Sequence, residues 1–234
     1  MEISKPYESD AVRAVTGPTI RPGGLALTGR AADYCGLGPG EWVLDVGCGT
    51  GATTVFLQAE YGAGVIGMDL SPLLLTEAGN QSPTLRLIRG SAMALPIKAD
   101  GLSAVFCECV CSLLPDAASA LNGFYRVLQP GGHLVIADLY WRTPDDALTV
   151  DPMATGGGCL AGAVDRHTMA RRIEAAGFEI DLWEDHSDVL KQLAAQLVWA
   201  GVSLTEWWGI DCASGSCDSG RRPGYCLIVA SKQR

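Results

Sequence analysis

The sequence predicts an α/β fold in which helices cover both faces of a doubly wound, mostly parallel sheet. From Glu41 onward, short apolar segments of strand length alternate with segments of helix length. The strand segments are apolar throughout, which indicates burial on both faces of the sheet. Right-handed crossovers then bring the carboxyl ends of the strands to one edge, where sheets of this kind bind ligands.

The predicted elements follow one another through short connections. The predicted strands are 42–46, 65–68, 85–89, 104–110, 133–137, 178–183 and 225–230. The predicted helices are 25–34, 53–61, 72–78, 117–128, 166–176 and 187–200. Asp165 is expected to cap the fifth of these helices and Gly177 to stop it. Residues 138–164 are glycine-rich and are predicted to form a loop.

Composition and charge limit the possible functions. The chain has 234 residues, of which 48% are hydrophobic and 18% charged, as expected for one folded domain. Its net charge of −9 argues against binding to nucleic acid or to an anionic membrane surface. No apolar run reaches the roughly 18 residues of a membrane span. The first residues mix acids and bases, so we expect a cytoplasmic protein.

The strongest local signal is a glycine loop after the first strand. Gly47, Gly49 and Gly51 lie between that strand and a helix, where the missing side chains let backbone N–H groups approach a ligand closely. Asp69 ends the second strand, and a carboxylate at that place can accept hydrogen bonds from both hydroxyls of a ribose. Read as Gly47-x-Gly49-x-x-Ala52, the loop also fits a dinucleotide fingerprint.

Three segments together resemble the class I S-adenosylmethionine-dependent methyltransferases. They are Asp45–Gly51, Leu95–Ile97 and Tyr125–Asp138. The resemblance implies a Rossmann-like, seven-stranded sheet whose last strand is antiparallel. It also implies S-adenosylmethionine as the cofactor and methyl transfer to a small-molecule acceptor. On this interpretation residues 1–234 form a single methyltransferase domain, with 1–40 as an N-terminal cap segment, 41–140 as the cofactor-binding core and 141–234 on the substrate side.

The same resemblance assigns the cofactor site. The three glycines would line the methionine and ribose part of the cofactor, Asp69 would hold the ribose, and Leu70 would lie beside the adenine. The cofactor residues expected in full are Asp45, Gly47, Cys48, Gly49, Gly51, Asp69, Leu70, Ser91, Ala92 and Glu108. The chain departs from the family at two positions, because Ser91 and Ser103 stand where the family often has aspartate.

The chain is cysteine-rich, and its nine cysteines indicate buried thiols, metal ligands or reactive groups rather than a disulfide framework. If the fourth strand continues through Cys111, then Cys107, Cys109 and Cys111 share one face. The segments Glu108–Asp116 and Cys159–Ala163 resemble the arsenite methyltransferases. The resemblance implies that Cys109 and Cys159 are catalytic thiols that bind trivalent arsenic, a soft centre that prefers thiolate ligands. The acceptor is accordingly expected to be a soft thiol or a thiolate-bound metalloid such as As(III).

One feature of the arsenite methyltransferases is missing. They carry a further cysteine shortly after the glycine loop, whereas this chain has 52–55 as Ala-Thr-Thr-Val. Cys35 or Cys48 are the possible substitutes. Cys212 and Cys217 form a separate group, whose spacing is wider than that of the usual zinc-binding pairs.

Other functions remain open from the sequence alone. A thiol-rich metal- or redox-binding protein on a nucleotide-binding scaffold is the alternative to an enzyme. An NAD-dependent oxidoreductase has less support, because Gln129 stands where a Tyr-x-x-x-Lys motif starting at Tyr125 needs lysine. No histidine is favoured as a general base: His133 is expected to be a core or edge residue, His167 to lie in a capping context and His186 to be solvated. Trp199, Trp207 and Trp208 are expected to pack against the sheet. The acceptor and the oligomeric state are not defined.

Overall fold

A computed structural model describes most of the chain. The described residues are 14, 16–17, 19–142, 160, 162–204 and 222–233. The helices are α1 Gly24–Tyr34, α2 Ala52–Tyr61, α3 Pro72–Gln81, α4 Ala117–Val127, α5 Arg166–Ala175 and α6 Ser187–Trp199. The strands are β1 Trp42–Val46, β2 Gly64–Asp69, β3 Arg86–Arg89, β4 Leu102–Glu108, β5 Leu128–Arg142, β6 Phe178–Asp185 and β7 Arg222–Lys232. A single 3-10 turn, Cys111–Leu113, follows β4.

The seven strands form one sheet in the order β3-β2-β1-β4-β5-β7-β6. The first five strands along the chain are parallel, and β7 pairs antiparallel with both β5 and β6. Val46 at the end of β1 lies beside Met68 of β2 and Cys107 of β4. The carboxyl ends of these three strands therefore meet at one edge, and the predicted mostly parallel α/β sheet is confirmed.

Helices cover both faces of the sheet, and each face has its own core. On one face α4 and α5 pack through residues such as Phe124 and Ile173 against Val105 and Ile136. On the other face α1, α2 and α6 cover a second cluster that includes Phe106. Because the central strands are buried on both faces, their residues are apolar throughout, which is the pattern that predicted them.

The predicted boundaries of the fourth and fifth strands are wrong. Residues 138–142 are strand rather than loop, because β7 pairs with β5 as far as Arg142 and buries Leu139 and Tyr140. β4 ends at Glu108, because Cys109 has a φ of 56°, which an extended strand does not permit. Cys107 and Cys109 consequently contact opposite core clusters, so the expectation that the three cysteines share one face is also wrong.

The caps of the helices follow the sequence signals. The Asp165 carboxylate accepts a hydrogen bond from Thr168 N at 2.9 Å, and Gly177 after α5 has a φ of 99°. Trp199 departs from its expected packing, since its side chain is exposed at the end of α6. Trp207 and Trp208 lie outside the described residues. Within the described ranges, every helix is too short or too polar to cross a bilayer.

Candidate active site

A cavity of about 360 Å³ opens at the carboxyl ends of β1, β2 and β4. The segment 19–22 before α1 closes one side of it, and the glycine loop closes another. Nine of the residues predicted for the site line this cavity. They are Gly47, Cys48, Gly49, Asp69, Leu70, Ser91, Ala92, Glu108 and Cys109. The sequence prediction and the cavity therefore coincide over most of its wall.

The glycine loop approaches the cavity through its backbone. Gly47 has a φ of 70°, and a Cβ on it would lie 2.3 Å from Val110 Cγ2. Gly49 has a φ of 55°, and a Cβ on it would meet no protein atom within 4 Å. The loop therefore needs glycine at the first position for close packing and keeps open space at the second.

The amides of the loop are not free donors, contrary to the sequence expectation. The N–H groups of Gly47 and Cys48 both donate to the carbonyl of Met68, at 2.7 and 3.1 Å. Gly51 N donates to Cys48 O at 2.8 Å. Since these bonds fix the loop, its contribution to a ligand site is the absence of side chains rather than a set of unused hydrogen-bond donors.

Asp69 joins the glycine loop to the start of α3. Its Oδ2 accepts a hydrogen bond from Gly49 N at 2.9 Å, and its Oδ1 accepts one from Ser71 N at 2.8 Å. An ionised carboxylate has about four acceptor positions, so two remain for the hydroxyls of a ligand. Asp69 is half-buried at the cavity wall and is suited to hold a diol.

Two predicted cofactor residues lie behind the cavity wall rather than on it. Asp45 is buried beneath the loop, where its Oδ2 accepts a 2.7 Å hydrogen bond from Thr54 Oγ1. Burial raises the pKa of Asp45 to about 7. Gly51 has a φ of 84° and precedes α2 directly, and a Cβ there would crowd Leu85 Cδ1 at 3.0 Å. Asp45 and Gly51 therefore stabilise the conformation of the glycine loop from behind the cavity wall.

A buried polar cluster that the sequence did not reveal forms another part of the wall. Arg21 Nη2 lies 2.9 Å from Glu108 Oε2, and the same carboxylate accepts hydrogen bonds from Thr28 Oγ1 and Thr53 Oγ1 at 2.9 and 2.8 Å. Burial is the largest single influence and lowers the pKa of Arg21, but the surrounding acidic groups, Glu108 foremost, together outweigh it and the net pKa is raised. Among the described residues, Arg21 Nε is buried without a hydrogen-bond partner. The turn Arg21-Pro-Gly-Gly before α1 is the only sequence signal for this residue.

Another part of the cavity wall is mostly apolar. Leu70, Ala92 and Met93 line it, together with Ser91. Ser91 Oγ accepts a hydrogen bond from Met93 N at 3.3 Å. An apolar slot that ends in a small hydroxyl suits a flat heteroaromatic ring, because such a ring buries both faces and keeps polar groups on its rim.

Cys109 lines the cavity directly after Glu108 in the chain. Its N–H donates to Ala137 O at 2.7 Å, and its Sγ lies 3.3 Å from Tyr225 Oη. Tyr225 also donates to Ala137 O, at 3.2 Å. Burial raises the pKa of Tyr225 well above its ordinary value, so the phenol remains protonated. A positive φ on a non-glycine residue is uncommon and often marks a functional site.

The remaining candidates lie elsewhere. Cys159, Cys212 and Cys217 fall outside the described residues. None of the three histidines lines the cavity. His133 is half-buried and burial lowers its pKa, while His186 lies 3.0 Å from a Glu184 carboxylate oxygen. His167 is exposed near the start of α5. His186 is therefore half-buried and paired rather than solvated as expected.

Comparison with known proteins identifies the same region. Residues 44–136 match the family model described as a methyltransferase domain. An arsenite methyltransferase of Halobacterium salinarum is 31% identical over 182 residues, which cover 74% of this chain and 45% of that protein. A demethylmenaquinone methyltransferase of Beutenbergia cavernae is 34% identical over 106 residues, 45% of this chain and 44% of that protein. The matched region thus spans less than half the length of either relative.

Solved structures share the fold. Phosphoethanolamine N-methyltransferase 2 of Haemonchus contortus, in complex with S-adenosyl-L-methionine, superposes with a TM-score of 0.73 at 17% identity. That match covers 96% of this chain and 56% of the other. A geranyl diphosphate C-methyltransferase of Streptomyces coelicolor gives a TM-score of 0.71 at 18% identity over 98% of this chain and 83% of that one.

The sheet order, the glycine loop and the acid after β2 define a Rossmann-like fold with a nucleotide-cofactor site at its carboxyl edge. Residues 44–136 match the methyltransferase domain family, and the relatives and solved structures described above are methyltransferases, one of them bound to S-adenosyl-L-methionine. S-adenosylmethionine is the cofactor of this family. The cavity fits it, since Gly49 leaves open space, Asp69 has acceptor positions left, and Arg21 Nε is a buried donor without a partner among the described residues.

Proposed function

We propose that the protein transfers a methyl group from S-adenosylmethionine to a small acceptor, and that the acceptor is trivalent arsenic held by thiolates. The observation that carries this proposal is the place of Cys109. Its thiol lines the same cavity as the glycine loop and Asp69, and two residues of other strands, Ala137 and Tyr225, hold it there. Cys159 is proposed as a second thiol ligand on the basis of its sequence segment.

The cofactor is proposed to lie along the cavity with its ribose at Asp69. Its adenine would occupy the apolar slot beside Leu70, Ser91 and Ala92. Its methionine end would reach Glu108 and Arg21, where one carboxylate and one guanidinium can pair with the ammonium and carboxylate groups of an amino acid. Gly47 and Gly49 would allow the sugar and sulfur to approach the backbone.

The proposed reaction needs little from acid–base chemistry. S-adenosylmethionine supplies the methyl group on a positively charged sulfur, and the acceptor supplies the electron pair in an in-line displacement. Trivalent arsenic bound to thiolates keeps a lone pair, so no proton has to be removed from it. The cavity fits this requirement, since none of the chain's histidines lines it. Cys109 would bind and orient the acceptor, and the apolar wall would exclude water.

Two observations bear on the choice of acceptor. A relative named arsenite methyltransferase aligns with 74% of this chain, which supports the proposal. The alternative is a thiol-rich metal- or redox-binding protein on a nucleotide-binding scaffold. Among the described residues, no group of three or more histidine, cysteine or acidic side chains is arranged to hold a metal ion. That alternative therefore gains no support from this part of the chain.

The test is transfer of an isotopically labelled methyl group from S-adenosylmethionine to arsenite in the presence of a small thiol. Wild type is expected to give methylated arsenic, and Cys109→Ser to give at most about a hundredth of that rate, because serine is a poor ligand for a soft centre. Cys35→Ser is the matched control, since Cys35 is half-buried and does not line the cavity.

The outcomes separate the possibilities. Equal rates for wild type and Cys109→Ser would remove the thiol-ligand role. Cofactor binding without transfer to arsenite would leave a methyltransferase for another small acceptor. Stoichiometric zinc or iron in anaerobically purified protein, with no methyl transfer to any acceptor, would favour the metal- or redox-binding alternative.

A further inference from the structure

Two thiols that the proposed reaction does not use lie close together behind the cavity wall. Cys107 Sγ and Cys111 Sγ are 3.3 Å apart. Both are free cysteines, with Cys107 fully buried in β4 and Cys111 half-buried at the start of the 3-10 turn. They pack with the core cluster on the face of the sheet opposite that of Cys109, so they form a separate pair.

The turn that carries Cys111 is anchored to the sheet. Ser112 N and Ser112 Oγ donate to the two carboxylate oxygens of Asp138, at 3.0 and 2.7 Å. Asp138 is fully buried in β5, the strand beside β4. A Cβ on Gly162 would lie 2.0 Å from Ser112 O, so Gly162 packs directly on the turn. These contacts hold Cys111 against Cys107.

We propose that Cys107 and Cys111 are a redox-active pair that forms a reversible intrachain disulfide when the protein meets a hydroperoxide. The two sulfur atoms would have to approach by roughly 1.3 Å to reach the S–S bond length of about 2.05 Å. The thiolate of Cys111, the more accessible of the two, attacks one oxygen of the hydroperoxide and becomes a sulfenic acid as the O–O bond breaks. The other oxygen leaves as hydroxide or alkoxide and takes up the proton that the Cys111 thiol released on ionising, which gives water or an alcohol. The Cys107 sulfur then displaces hydroxide from that sulfenic acid, its proton leaves with the hydroxide as water, and the disulfide remains.

Closing this bond would change the cofactor cavity. Val110 precedes Cys111 and lines the cavity, and its Cγ2 lies against Gly47. Leu113, two residues after Cys111, lines the cavity as well. A movement of Cys111 toward Cys107 therefore displaces the cavity-lining residues on both sides of Cys111, which are Val110 and Leu113. We infer that the oxidised protein binds the cofactor more weakly than the reduced protein.

The first experiment maps the disulfide in the full chain. The reduced protein is treated with a small excess of hydrogen peroxide, remaining thiols are blocked, and the digest is analysed by mass spectrometry. A link between Cys107 and Cys111, lost on treatment with a dithiol, is expected. It should be absent in Cys111→Ser and in Cys107→Ala, and present in Cys226→Ser, a buried thiol whose Sγ donates to Asp138 O. A link from Cys111 to Cys109, or sulfinic acid at Cys111 without any link, would overturn the proposal.

The second experiment measures the coupling to the cavity. The affinity for S-adenosylhomocysteine, measured by calorimetry, is expected to be about fivefold weaker in the oxidised protein, and recovered after reduction. The peroxide-treated Cys111→Ser variant should keep the affinity of its reduced form. An oxidised wild type that binds as tightly as the reduced protein would overturn the coupling. Neither readout depends on methyl transfer, so both remain valid if the acceptor proposed above is wrong.

Discussion

Asp69 is the residue on which the cofactor site depends most directly. Its carboxylate accepts one hydrogen bond from the glycine loop and one from the start of α3, so it fixes both segments and still faces the cavity. Replacing it with asparagine removes the charge and turns one acceptor into a donor. We expect Asp69→Asn to weaken binding of S-adenosylhomocysteine by about 10- to 100-fold, since hydrogen bonds to charged groups contribute roughly 1.5–3 kcal/mol.

Calorimetric titration measures this effect, with Asp188→Asn as the control. Asp188 is an exposed carboxylate in α6 that pairs only with Lys191 in the described contacts, and its replacement should leave the affinity unchanged. If Asp69→Asn bound the ligand as tightly as wild type, the ribose would not lie at this carboxylate.

The two loop glycines give a second prediction, because they share a backbone conformation but differ in surroundings. Both have positive φ, which costs roughly 1–2 kcal/mol for alanine. Gly49→Ala should cost only that amount. Gly47→Ala should cost about 1–3 kcal/mol more, because its Cβ would overlap Val110 Cγ2.

Urea unfolding of the two variants measures the difference in the free energy of unfolding. Adding Val110→Ala to Gly47→Ala should recover part of the loss, since it removes the methyl group that collides. Equal destabilisation of Gly47→Ala and Gly49→Ala would show that the loop relaxes away from Val110.

Single residues also show where sequence reasoning ends. The glycine loop and Asp69 were identifiable because their chemistry is local and their positions follow predicted strands. Arg21 was not, because its partner Glu108 is distant in the chain and joins it only through the fold. The positive φ of Cys109 was equally hidden, since the carbonyl of Ala137 on the neighbouring strand accepts the hydrogen bond that fixes it.

At the scale of elements, the cap of α5 gives a prediction that depends on pH. Asp165 accepts hydrogen bonds from Thr168 N and Thr168 Oγ1 at 2.9 and 2.7 Å. Burial raises the pKa of Asp165, but these hydrogen bonds and further ones from the backbone of Asp165 and His167 together outweigh it, so the net pKa is lowered. Because the folded pKa lies below the unfolded value, the ionised carboxylate stabilises the protein above the unfolded pKa, and this contribution is lost as the pH falls through the folded pKa.

We therefore expect Asp165→Ala to lower the free energy of unfolding by about 1 kcal/mol at neutral pH, and by less near pH 3. Urea unfolding at the two pH values measures the change. Glu174→Ala, at an exposed position of the same helix, should have an effect within about 0.5 kcal/mol at both. A loss for Asp165→Ala that did not diminish in acid would contradict the role of the charge.

Most elements followed from hydrophobic pattern and cap residues, with β1 and α1 predicted almost to the residue. The pattern failed at the two ends of β5. Residues 129–132 lie between a predicted helix and a predicted strand, yet they are part of β5, and residues 138–142 are strand because β7 pairs with them. A strand whose extent depends on a partner some 85 residues away leaves no local signal.

At the scale of the whole molecule, β7 connects β6 to the parallel strands of the sheet. It lies between β5 and β6 and supplies buried residues to both core clusters. Deleting everything from residue 222 onward should abolish cooperative unfolding, because β6 loses its neighbour in the sheet and both clusters open. Far-UV circular dichroism and urea titration measure this, with a deletion of residues 233–234 as the control that keeps the ladder intact. A cooperative transition in the longer deletion would contradict this role.

The position of β7 also has a consequence for synthesis on the ribosome. As the chain emerges from amino to carboxyl end, β1 to β5 can assemble first, but β6 has no edge to join until residues 222–232 have left the exit tunnel. Until then, the edge of β5 that later pairs with β7 has no partner, and many apolar residues of the core are exposed to solvent. A ribosome that stalls in this interval would therefore hold an incompletely folded chain, which aggregates with other chains unless a chaperone binds it.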